Sequence, residues 1–169
     1  MKEVIVKDSD LRRAAGEGMD AFLKVFHDGI MDAIGGEVTA ETMRELNAEQ
    51  ITLLAYHILR DEVMDGGFVQ LIHNGYGGFI FLNPFAKVLR IWGMRDLSRL
   101  IYDAHTLYNA HKADIERECT DEEFMAMFEA HPEFDDMDDN FVENEERYTA
   151  EVARYVDEHI EQFATISNE

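Results

Sequence analysis

Cysteine, proline, basic residues and long apolar runs are all scarce in this chain, and each shortage excludes something. A single cysteine, Cys119, leaves no internal disulfide to form and fits a reducing cytosol. Only two prolines, Pro84 and Pro132, interrupt 169 residues, which favours helices. Lys and Arg number 15 against 36 Asp and Glu, a formal charge of -21. A chain this anionic repels nucleic acid and anionic membrane, so neither is expected as a direct partner. The N-terminal Met1-Lys2-Glu3-Val4-Ile5-Val6-Lys7 lacks the apolar core of a signal peptide. Residues 66–86 hold no charged side chain, but Gly66, Gly67, Gln70, His73, Asn74 and Gly75 break them up. They read as buried loop and short helix, not a membrane span.

What is present argues for an ordered all-α protein. Hydrophobic residues make up 46% and aromatics 11%, too much for disorder. The expectation is one domain over residues 1–169, a bundle of about seven or eight helices with a short N-terminal strand or arm at Val4-Ile5-Val6. Ser9 is the candidate N-cap of a first helix running through Leu11, Phe22, Phe26 and Ile30 to the Gly35-Gly36 stop. Thr39 caps a short turn. Asn47 with Gln50, and Thr120 with Glu123, have capping-box spacing. Asn83 before Pro84 is a further cap candidate. Phe26, Phe68, Trp92 and Leu100 are expected in the core.

The acids are unevenly spread. Residues 121–169 hold 17 acids and two bases, Arg147 and Arg154, whereas residues 1–120 carry only -6. Asp121, Glu122 and Glu123 suit the positive end of a helix dipole. That does not account for Asp135, Asp136, Asp138, Asp139, Glu143 and Glu146, where mutual repulsion needs another reason. Phe141, Tyr148, Val152, Tyr155, Val156 and Phe163 fit one face of a terminal helix, so these acids stand on a docked scaffold. Such an array attracts basic surfaces, most of which exist to hold phosphates. The same acidity also fits a solubilising tail.

Catalytic patterns are missing. His105 and His111, with Asp103 and Asp114 nearby, invite a metal, but no His-Glu-x-x-His motif or repeated Glu-x-x-His pair occurs. His57 and Asp61 have the spacing of an ordinary hydrogen-bonded pair. Asp136, Asp138 and Asn140 imitate the start of a calcium loop, which fails at Phe141 and Arg147. Gly75-Tyr76-Gly77-Gly78 lacks the residues of a phosphate loop. Glu116, Glu118 and Asp121 disfavour a thiolate at Cys119. The reading is of a non-enzymatic protein with no cofactor.

The run Glu62-Val63-x-x-Gly66-Gly67-Phe68-x-Gln70-x-x-x-Asn74-Gly75 resembles the central signature of the DNA-mimic protein 19 family of small bacterial all-α proteins. The likeness extends over roughly residues 45–163. The signature itself reads as structural: Gly66-Gly67 for a sharp turn, Phe68 as its anchor, and Gln70 with Asn74 to satisfy buried backbone groups. The resemblance implies binding to a helix-turn-helix transcription factor by imitation of duplex DNA. The acids at 135, 136, 138, 139, 143 and 146 are the expected contact surface. An immunity protein against a basic toxin such as a nuclease, a small metal-dependent enzyme, and a housekeeping domain remain as alternatives. The sequence leaves the oligomeric state open, a homodimer included.

Overall fold

The computed structural model describes residues 2–168. They form an all-α protein with ten α-helices, one 3-10 turn and a minimal two-stranded sheet among the described residues. The chain divides into two compact units, one drawn from residues 1–54 and 146–169, the other from 55–145.

The first unit opens with β1 (Ile5–Lys7), followed by α1 (Asp8–Glu17), α2 (Met19–Ala33) and α3 (Ala40–Met43). The single long helix expected here is broken at Gly18, whose φ of 124° is outside the helical range. Ser9 is not the cap, because α1 already begins at Asp8 with Lys7 in the cap position. Thr39 does cap α3: its hydroxyl accepts the Thr42 N–H, and its own N–H donates to Thr42 Oγ1. The start of α4 (Ala48–His73) carries a full capping box. The Asn47 N–H donates to Gln50 Oε1 at 3.0 Å, and the Gln50 N–H to Asn47 Oδ1 at 2.8 Å. The Gln50 side-chain amide also donates to the Phe163 carbonyl, so this buried polar side chain is satisfied. The unit closes with the end of α9 (Asp135–Glu158), α10 (Ile160–Phe163) and β2 (Thr165–Ser167). β2 lies parallel to β1 with Ile5 opposite Thr165. Phe26 and Phe163, both fully buried, meet edge to face here.

The second unit holds the remainder of α4, α5 (Gly77–Phe81), α6 (Phe85–Ile91), α7 (Arg95–Ile115), α8 (Asp121–Ala130), a 3-10 turn (Pro132–Phe134) and the first part of α9. Trp92, Phe68 and Leu100 are buried in it. Asn83 is not a cap: its side-chain amide donates to the Phe79 carbonyl, and α6 starts at Phe85. Thr120 does cap α8, accepting the Glu123 N–H at 3.2 Å. The Glu123 carboxylate accepts from Arg117 through Oε2 and from the Thr120 hydroxyl through Oε1, which leaves the box incomplete.

The Gly66-Gly67 bend lies inside α4. Gly67 has φ 77° and ψ -176°, and helical geometry resumes at once beyond it. No L side chain enters this conformation without strain. Among the described residues no helix is long and apolar enough to cross a membrane.

Candidate functional site

The first turns of α9 in the second unit present the densest acids. A helix advances 100° per residue. Asp135, Asp136, Asp139 and Glu143 therefore fall within one ~100° arc, opposite the arc of the fully buried Phe134 and Phe141. All four are exposed. None forms an ion pair or side-chain hydrogen bond among the described residues. Asp135 and Asp136 sit in the first turn, where the helix dipole offsets part of their repulsion. Over the eight-residue rise from Asp135 to Glu143, about 12 Å, they place four carboxylates. One DNA strand places about four phosphates over the same length. Glu146 is exposed as well, and belongs to the part of α9 counted with the first unit.

Asp138 is a correction. Sequence position groups it with the outward acids, but it lies four residues after Phe134 and three before Phe141, on the buried face. Its Oδ1 accepts the Phe68 N–H at 2.8 Å. The carboxylate sits so close over Gly67 that a Cβ there would collide with it. Burial is the largest influence on its acidity. The Phe68 amide opposes it, Asp135 and Asp139 add to it, and the pKa is pushed up to about 6. Asp138 thus closes the bend whose first half is Gly67. It also rules out the calcium-loop reading, since Asp136, Asp138 and Asn140 are all helical.

Gln70 and Asn74 are corrected in detail. They satisfy carboxylates, not backbone groups. Gln70 Nε2 donates to Glu62 Oε2 at 2.8 Å and Asp65 Oδ2 at 2.9 Å, and Asn74 Nδ2 donates to Glu62 Oε2 at 3.1 Å. Gly66 leaves the space that the Gln70 side chain occupies. The five signature residues Gly66, Gly67, Phe68, Gln70 and Asn74 therefore build a kink and tie its acids down.

Two further acids are also internal partners. Glu145 pairs with Arg60 at 2.7 Å, with side chains only 13% and 26% exposed, which takes this carboxylate off the outward face. Asp114 bonds both Arg117 and His131, and the His131 contact chiefly holds its carboxyl below the usual range. An open cleft of about 710 Å³ is lined by Arg60, Asp61, Glu62, Asp65, Gln70 and Glu145. Its one base is already ion-paired, so it has little to offer an anionic ligand.

The histidines separate. His105 stacks on Phe81 at 5.5 Å, and His57 meets Asp61 at 3.2 Å. His111 turns instead to His131, with ring centroids 4.9 Å apart. Together with Glu133 they bring one donor atom each within 4.8 Å of one another. Spacing along the chain misses this cluster, because its members come from α7, the end of α8 and the 3-10 turn.

Comparison with known proteins adds to this geometry. The family model described as DMP19-like protein matches residues 44–159. The chain is also similar to the DNA mimic protein DMP19 of Neisseria meningitidis serogroup B (strain ATCC BAA-335 / MC58). Identity is 35% over 135 residues, covering 77% of this chain and 82% of that protein.

Proposed function

Since the chain belongs to the DMP19-like family, we propose that it is a non-enzymatic DNA mimic whose acidic helix occupies the DNA-binding surface of a basic protein. The observation that carries this reading is the outward arc of Asp135, Asp136, Asp139 and Glu143 on a helix whose other face is buried. A fixed array can match the spacing of phosphates along a basic groove, and its lack of internal counter-charges leaves its field directed outward. The partner class this favours is a DNA-binding transcription factor of the helix-turn-helix kind, which holds a backbone with a short basic surface. Glu146, on the adjoining part of α9, is a flanking contact.

The test is capture from native lysate on the immobilised chain, followed by elution with a duplex DNA that the captured protein binds. Mimicry requires that duplex DNA and this chain exclude each other. A captured DNA-binding protein that binds both at once would overturn the proposal. Capture of a nuclease toxin instead, with loss of its activity, would move the chain to the immunity reading.

A further inference from the structure

We propose that His111, His131 and Glu133 form a site for one divalent transition-metal ion of the zinc type, fastening α7 to the turn that leads into α9. The first observation is their convergence, with one donor atom from each residue within 4.8 Å of the others. The second is independent. His131 is only 6% exposed, and its Nδ1 is buried with no hydrogen-bond partner among the described residues. Its other nitrogen, Nε2, lies 2.7 Å from Asp114 Oδ2. A carboxylate on a half-exposed side chain is an acceptor, so Nε2 carries the proton. In the neutral ring Nδ1 is then a bare lone pair, held away from water. This is the arrangement of a metal-binding histidine: one nitrogen bonded to a carboxylate that fixes the tautomer, the other left for the ion.

The donor set indicates the metal. Two imidazoles and one carboxylate suit zinc and its first-row neighbours, whereas calcium and magnesium take oxygen ligands. Tetrahedral zinc bonds its ligands at ~2.0–2.1 Å, which puts donors about 3.3 Å apart. Half-exposed His111 and exposed Glu133 close that gap by side-chain rotation, and water completes the shell. The ion would join α7, through His111, to the segment between α8 and α9, through His131 and Glu133. Buried Phe134 and the acidic first turn of α9 follow immediately. The role is structural and stands apart from any partner.

The experiment uses the full chain, stripped with chelator. Zinc is titrated by calorimetry, cobalt by its visible absorption, and melting is followed with and without zinc. The expected result is one ion per chain, a tetrahedral cobalt spectrum and a higher Tm with zinc. His111→Ala and Glu133→Gln change partly or fully exposed side chains, so both should fold, and both should bind at least about tenfold more weakly. Asp114→Asn should weaken binding by about 10- to 100-fold by releasing the orientation of His131. His57→Ala, outside the cluster, should bind as the unaltered chain does. Absence of stoichiometric uptake would overturn the proposal. So would uptake undiminished in both His111→Ala and Glu133→Gln, which would mark diffuse binding to the acidic surface. An equal Tm gain from calcium would overturn the imidazole assignment.

Discussion

Asp138 carries opposed influences. The Phe68 N–H favours its ionised form, while burial and the neighbouring Asp135 and Asp139 favour the neutral one and prevail, placing its pKa near 6 against 3.8 for an ordinary aspartate. Between those two values the folded chain holds the proton more tightly than the unfolded chain. Asp138 therefore makes stability fall as pH rises from about 4 to about 6. In Asp138→Asn the amide oxygen can still accept from Phe68 without a charge. Urea unfolding of this variant should lack that part of the pH slope and show stability at pH 7 at least equal to the unaltered chain. Identical slopes would contradict the assignment. Asp138→Ala leaves the Phe68 amide without its acceptor and should cost about 1–3 kcal/mol. Gly67→Ala should cost a similar ~1–3 kcal/mol, from strain at φ 77° and collision with Asp138. Combined with Asp138→Ala, which removes the collision but not the strain, the two costs should add to less than their sum. The inward turn of Asp138 was legible in the chain: its spacing from Phe134 and Phe141 puts it on the apolar face. Glu145, four after Phe141 and three before Tyr148, shares that signature. Counting acids hides both, whereas the helical period separates them from Asp139 and Glu143.

At the scale of elements, part of the local chemistry was legible, although the Ser9 and Asn83 caps and the break at Gly18 were not. The Asn47–Gln50 box, the Thr39 and Thr120 caps and the Gly67 bend each involve groups within a few residues, and each stands as its sequence implies. Pairings set by distant chain were not legible. β2 is three residues whose partner strand lies some 160 positions earlier, and the Asp138–Phe68 bond spans 70. Within α9 the outward acids differ in what holds them. Asp135 and Asp136 face the dipole at the helix start, whereas Asp139 and Glu143 lie beyond its reach. Asp135→Asn with Asp136→Asn should therefore lower stability by about 0.3–1 kcal/mol. Asp139→Asn with Glu143→Gln should leave it unchanged or raise it through relieved repulsion. If the second pair unfolds the chain, those acids are structural and not a contact surface.

Taken over the whole molecule, the negative charge is concentrated in one stretch. No Lys or Arg occurs between Arg117 and Arg147, while 13 acids do. Three of them are tied down. Glu123 bonds Arg117, Asp138 bonds Phe68 and Glu145 pairs with Arg60, whereas Glu146 at the end of the run adds exposed charge. Correcting for the first three leaves the stretch strongly anionic, so the field that the sequence implies persists after the structure removes some of its sources. That field acts at long range and is screened over about 10 Å at 0.1 M salt. Complexes formed by exposed charges on a rigid helix lose association rate first as salt rises, because steering weakens before contact packing does. Association of the chain with its captured partner should therefore slow steeply from about 50 to 500 mM salt, with a smaller change in dissociation. The variant carrying Asp135→Asn, Asp136→Asn, Asp139→Asn and Glu143→Gln should bind more weakly at low salt and show a shallower salt dependence than the unaltered chain. Stopped-flow or surface-capture kinetics at several salt concentrations decides it. Equal salt slopes for the two proteins would place the contact surface elsewhere and remove this face of α9 from the mimicry.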